Sequence, residues 1–253
     1  MNNTKPSYQS NFRFIAELNE FLKPTYRHQR IAYRFTHSLG IKDPIEAMGV
    51  PHTDVEQIVV DGRGVTFSYR LCHGDQVTVY PALANSDIKP PIQLRPPLHK
   101  VRFVLDVHLG KLARILRMLG FDALYSNAYE DRELVNITEG EQRILLTRDR
   151  RLLFHRRVVY GHYVHHCHAE QQAREVLRHF QLSHNIHPFS RCTHCNGKLA
   201  AVDKDSILTQ LEPKTIRYYQ KFYRCQGCGQ IYWKGSHFDG IADKFRTLGL
   251  TPP

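Results

Sequence analysis

Apolar and polar positions alternate through the first third of the chain. Residues 12–18 and 30–36 read as a strand pair, residues 38–48 as a short helix, and residues 55–60 and 65–69 as strands joined by the turn Asp61-Gly62-Arg63-Gly64. Residues 75–81 close the set, giving the order ββαβββ. The pattern then changes. Residues 101–105 form an apolar run, followed by a helical period over 109–119 with Leu109, Leu112, Ala113 and Leu116 on one face and Gly120 as its stop. Strands at 121–125, 143–147 and 158–164 alternate with helices at 131–139, 151–155 and 169–180. Such alternation with short connections predicts a parallel sheet covered by helices on both faces. Residues 86–100, carrying Pro90-Pro91 and Pro96-Pro97, exclude regular helix and read as a semi-rigid linker.

The 253 residues suffice for two or three small domains. No apolar run approaches the ~18 residues of a membrane span, and the first residues lack the apolar core of a signal peptide. The expectation is a cytoplasmic protein whose Cys72 and Cys167 are reduced thiols. The net charge of +11 is spread unevenly: +2 over residues 1–99, +4 over 100–160 and +5 over 161–253. A field of that sign and placement favours a polyanion, with nucleic acid first among candidates.

Chemistry concentrates where the charge does. Cys192-Thr-His-Cys195 and Cys225-Gln-Gly-Cys228 stand 29 residues apart. Each Cys-x-x-Cys turn aims two sulfurs at one point, so the pair predicts one tetrahedral structural Zn²⁺ in a four-cysteine ribbon, with Gly227 and Gly229 allowing left-handed turns. His194 lies inside the first knuckle and is a possible substitute ligand. The run His165-His-Cys-His168 is a poor second metal site, because consecutive side chains at a strand end diverge. Tyr232, Trp233, His237 and Phe238 follow the last knuckle and read first as ribbon packing, with base stacking as the alternative.

Ligands of open α/β sheets bind beyond the carboxyl ends of the strands. Asp106, Asp131 and Asp149 fall in that zone. Each alone is an ordinary helix N-cap. Three after successive strands point instead to oxygen ligands for a catalytic Mg²⁺ or Mn²⁺, and a residue can cap and ligate at once. Lys111, Arg114 and Arg117 recur every three residues on the following helix, and Arg148 and Arg150 flank Asp149. All five are candidate phosphate contacts.

The β-rich first third, ending in Gly74-Asp75-Gln76-Val77, resembles a ubiquitin-like β-grasp domain of the sulfur-carrier type. A carrier ends in an activated diglycine, whereas this strand runs on into Pro81-Ala-Leu-Ala-Asn85, so a binding or positioning module with a possible protein partner is expected. Residues 103–122, Glu130-Asp-Arg-Glu-Leu134, Arg143-Ile-Leu-Leu-Thr-Arg-Asp149 and the ending Tyr232-Trp-Lys-Gly-Ser-His237 resemble, in order, the PIN-like ribonuclease family named for the C-terminal region of the nematode protein Mut-seven. The resemblance implies an α/β fold: a PIN-like parallel sheet with helices on both faces, preceded by an α+β β-grasp domain and followed by a four-Cys zinc ribbon. Expected bounds are 10–85 for the β-grasp, 86–100 for the linker, 101–185 for the RNase domain and 186–245 for the ribbon. It also implies a divalent-metal-dependent ribonuclease with Asp106, Asp131 and Asp149 at the acidic positions. PIN nucleases commonly place a fourth acid near the third, where this chain has Arg150 and Arg151. The alternative is a non-catalytic RNA-binding adaptor built on the same fold.

Overall fold

The computed structural model describes residues 7–82 and 92–233. Residues 86–91 of the proline-rich stretch, the expected ribbon end at 234–245, and His237 and Phe238 lie outside the described residues. The chain divides into two compact units, residues 1–99 with 149–163 and residues 100–148 with 164–253.

The first unit opens with β1 (Tyr8–Phe14) paired antiparallel to β2 (Ile31–Phe35). α1 (Lys42–Ala47) follows, then β3 (Gln57–Val60), β4 (Arg63–Val65) and β5 (Gln76–Tyr80). The sheet order is β2-β1-β5-β3-β4, with β1 and β5 parallel at its centre. That is the β-grasp arrangement. Its core is Phe12, Phe14, Leu18, Ile41, Ile45, Ile58, Val77 and Val79, all nearly inaccessible to solvent. Asp61 and Gly62, both at positive φ, make the tight β3–β4 turn. β1 is shorter at its end than the alternation suggested. Ala16 takes φ 47°, and Asn19 Nδ2 donates to the Phe14 and Ala16 carbonyls, closing a 3₁₀ turn instead.

In the second unit β6 (Arg102–Leu105) lies between β7 (Asp122–Tyr125) and β8 (Ile144–Thr147), all parallel. Every residue of β8 is buried, as parallel strands covered on both faces require. α2 (Gly110–Met118) joins β6 to β7 and α3 (Asp131–Glu141) joins β7 to β8. Gly120 stops α2 at φ +96°, a conformation costly for other residues, and a Cβ there would meet the His187 carbonyl oxygen at 2.1 Å. The chain next gives α4 (Arg150–Leu153) and β9 (Gly161–Tyr163) to the first unit. It returns as α5 (Ala169–His179), which packs on α2.

A three-stranded antiparallel sheet ends the described chain: β10 (Leu199–Val202), β11 (Phe222–Cys225) and β12 (Ile231–Trp233). α6 (Pro213–Tyr218) sits in the excursion between β10 and β11. Among the described residues no helix is long and apolar enough to cross a membrane.

Candidate functional site

Asp106 follows the last residue of β6, the central parallel strand of its unit, and is only 6% exposed. Its Oδ1 accepts from the Val107 amide at 2.6 Å, capping a 3₁₀ turn, and its Oδ2 accepts from the Thr147 hydroxyl at 2.7 Å. The carboxylate is thereby fixed between the ends of β6 and β8. Each oxygen has two lone pairs, so these bonds leave room for a cation. Asp131 is exposed at the first position of α3, where a negative charge suits the helix dipole. Asp149, in the first unit, caps α4 by accepting from the Arg151 amide at 2.8 Å. Capping is thus real for Asp106 and Asp149.

Lys111 and Arg114 are exposed on α2 and line a cleft of about 570 Å³ in the second unit. His108, Tyr125, Asn127 and Gln172 complete its polar wall. Those four were not singled out from sequence, although Tyr125 ends a parallel strand at the edge where ligands gather. Its hydroxyl donates to the Val107 carbonyl at 2.9 Å and also reaches Asn127.

The other three candidate phosphate contacts have different duties. Arg117 is 5% exposed and donates to the carbonyls of Ala123 (2.8 Å), Thr193 (3.3 Å) and His194 (2.7 Å). Burial holds its guanidinium below the ordinary value. Arg148 donates to the His165 carbonyl at 3.1 Å and to that of His166, fixing the segment after residue 164. Arg150 donates to the Phe21 carbonyl. In the His165–His168 run, Nδ1 of His165 and of His166 each donate to Glu175, at 2.9 and 2.8 Å.

The four knuckle cysteines converge, with one sulfur from each lying within 4.8 Å of the others. Sγ of Cys195 and Cys225 are 3.4 Å apart, and those of Cys192 and Cys228 3.7 Å. Asn196 supplies the left-handed turn of the first knuckle at φ 68°, and Gly229 that of the second at φ 76°. Gly197 is needed for space, because a Cβ there would lie 2.8 Å from Cys225 Sγ. Burial opposes ionisation of the Cys195 and Cys225 thiols. Amides of Cys228 and Gly227 overcome it at Cys225, bringing that thiol down to about 6, whereas burial and the neighbouring thiols push Cys195 up to about 12. A full set of thiolates therefore calls for a cation. The Tyr232 hydroxyl sits 3.0 Å from Cys192 Sγ, and Trp233 packs beside Phe222 and Tyr219.

A polar network fastens the first knuckle to the edge strand β7. Asp122 accepts from Arg143 (2.7 Å), Asn196 (2.8 Å) and Arg191 (3.0 Å), while Asn196 Oδ1 accepts from the Ala123 amide at 3.0 Å. Burial works against the Asp122 charge, but the bonds from Arg143 and Asn196 outweigh it and hold its carboxyl below the ordinary value. A depressed carboxyl stabilises the fold above its unfolded pKa, about 3.9, and that contribution is lost as pH falls through the folded value. Asp122→Asn is therefore expected to cost about 1–3 kcal/mol at pH 7, because Arg191 loses its carboxylate and Arg143 keeps only Glu141. In urea titrations the gap between variant and wild type should begin to narrow below about pH 4 and keep shrinking as pH falls through the depressed folded value. A gap independent of pH would contradict this.

Comparison with known proteins adds the following. Residues 101–245 match the Mut7-C RNase domain, and residues 8–87 match the Mut7-C ubiquitin domain. The human protein named exonuclease mut-7 homolog is 26% identical over 240 positions, covering 62% of this chain and 27% of its own length. The chain thus spans about a quarter of the length of that relative. No solved structure matches the chain.

Proposed function

The chain belongs to the Mut7-C RNase domain family, and on that premise we propose that it hydrolyses RNA phosphodiester bonds with a divalent ion held by Asp106, Asp131 and Asp149. The observation that carries this reading is Asp106, a buried carboxylate fixed by Val107 and Thr147 at the carboxyl end of a central parallel strand. The donor set is carboxylate only, which suits a hard cation. Bound Mg²⁺ or Mn²⁺ would activate water and neutralise charge at the scissile phosphate. Lys111 and Arg114 then serve as backbone clamps, and Tyr125, Asn127 and Gln172 offer hydrogen bonds to ribose or base edges. The four knuckle sulfurs suit a structural Zn²⁺, closed to substrate.

RNA affinity should fall steeply with salt. Each phosphate contact on a single strand adds about 0.7 to the slope of log K against log salt, so removing Lys111 and Arg114 together should lower it by about 1.4. Fluorescence anisotropy over a potassium chloride series measures the slope. An unchanged slope would move the RNA track off α2. The proposed activity itself is tested by incubating the full chain with matched single strands of RNA and DNA in Mg²⁺ or Mn²⁺. Cleavage of RNA is expected, and loss of nucleotides one at a time from an end would match the activity in the name of the human relative. Tight RNA binding without any cleavage would favour the adaptor.

A further inference from the structure

The RNase family match runs unbroken over residues 101–245, yet residues 149–163 are packed into the ubiquitin-like unit. The attachment has several independent anchors. His162 Nδ1 donates to Asp54 Oδ1 at 2.7 Å, with both side chains 3% exposed. His52 donates through Nε2 to the Val158 carbonyl at 2.9 Å, and the Tyr160 hydroxyl donates to the Pro96 carbonyl at 2.6 Å. Arg150 is held most elaborately. Its guanidinium lies over the rings of Phe21 and Tyr163, 5.0 and 5.3 Å from their centroids, and donates to the Phe21 carbonyl at 3.1 Å and that of Glu20 at 3.4 Å.

Arg150 is also the first residue of α4, the helix that Asp149 caps. A helix of four residues has no stability of its own. The direction in which Asp149 points is therefore inherited from whatever fixes α4, and Arg150 fixes it to the 3₁₀ turn Ala16–Phe21 of the β-grasp fold. A ubiquitin-like carrier must keep its faces free for activating and accepting partners. Here one face is occupied by the chain's own RNase segment.

We propose that the ubiquitin-like unit is a clamp for the Asp149 turn, with Arg150 as the positioning residue that transmits its geometry. The catalytic part of this inference rests on the nuclease reading above, whereas the mechanical part does not. A cation over two aromatic rings is held by charge and shape together, so Arg150→Gln and Tyr163→Leu should each release the turn, and Arg150→Lys should restore it in part.

Two readouts on the full chain decide the matter. Hydrogen exchange over residues 149–154 should accelerate in Arg150→Gln and Tyr163→Leu while the rest of the chain keeps its protection, with Arg150→Lys intermediate. In the cleavage assay, the Mn²⁺ concentration for half-maximal rate should rise about tenfold in the first two variants, with turnover recovering at saturating Mn²⁺. A mere loss of folded protein would lower the rate without moving that midpoint. Wild-type exchange at 149–154 in the variants would overturn the clamp. Faster exchange with an unmoved Mn²⁺ midpoint would overturn the positioning role. A wild-type protein that cleaves nothing would remove the nuclease reading and the positioning role with it, and the exchange data would still decide the clamp.

Discussion

Asp106→Asn is expected to stop RNA cleavage, by more than about 100-fold in initial rate, while the protein stays folded and still binds RNA. Asparagine caps helices as well as aspartate does, so the Val107 bond survives. Thr147 has a rotatable hydroxyl that can accept from the new amide as readily as it now donates to Oδ2. The stability cost is therefore about 1 kcal/mol. What the change removes is a negative oxygen at the end of β6, which a divalent ion needs and a phosphate does not. RNA affinity should hold or improve, since one like charge has gone. Members of one metal site fail together, so Asp106→Asn combined with Asp149→Asn should be little worse than either alone. Initial rates, anisotropy and thermal melting on the same preparations test this. A folded Asp106→Asn protein cleaving at the wild-type rate would place the chemistry elsewhere.

The second large effect belongs to Cys225→Ser. This sulfur is buried, receives amide hydrogen bonds from Gly227 and Cys228, and lies against Cys195. A serine hydroxyl does not supply a thiolate at neutral pH, and structural zinc sites contribute about 10–16 kcal/mol in small modules. One equivalent of zinc should be lost, and the ribbon strands β10 to β12 should lose their exchange protection. The loosening should spread to β7, because Asn196 and the carbonyls of Thr193 and His194 tie the first knuckle to Asp122, Ala123 and Arg117. Elemental analysis with hydrogen exchange gives both readouts. A variant without zinc but with a protected ribbon would show that the strands hold by themselves.

Much of this architecture was legible from periodicity. The ββαβββ order, the α2 stripe ending at Gly120 and the two knuckles are local signals, and local signals survive folding. What escaped was tertiary. Lys111, Arg114 and Arg117 look like one basic stripe, but three residues advance a helix by less than a full turn. The stripe rotates by roughly 120° from the first to the third, which carries Arg117 into the interior. Arg150 beside Asp149 looked like a phosphate contact, yet its partner Phe21 lies 129 positions earlier in the chain. The strand read at 65–69 ends at Val65, because residues 66–69 close a turn through the Tyr69 amide and the Thr66 carbonyl. Asp106 could be placed next to a parallel strand from sequence, because a strand end is a sequence position. The cleft around Lys111 is not legible in that way, because His108, the pair Tyr125 and Asn127, and Gln172 come from three separate stretches.

We propose, above all, that this chain cleaves RNA through a divalent ion held by its acidic residues. The most direct measurement takes zinc-loaded full-length protein, freed of loosely bound metal, and follows cleavage of an end-labelled single-stranded RNA as Mn²⁺ or Mg²⁺ is added. The expected result is no product without added metal, a saturable rise in rate with it, and arrest when a chelator is added at a level that leaves the knuckle zinc in place. Product at full rate in the absence of any added divalent ion, or none at saturating metal while RNA remains bound, would contradict it.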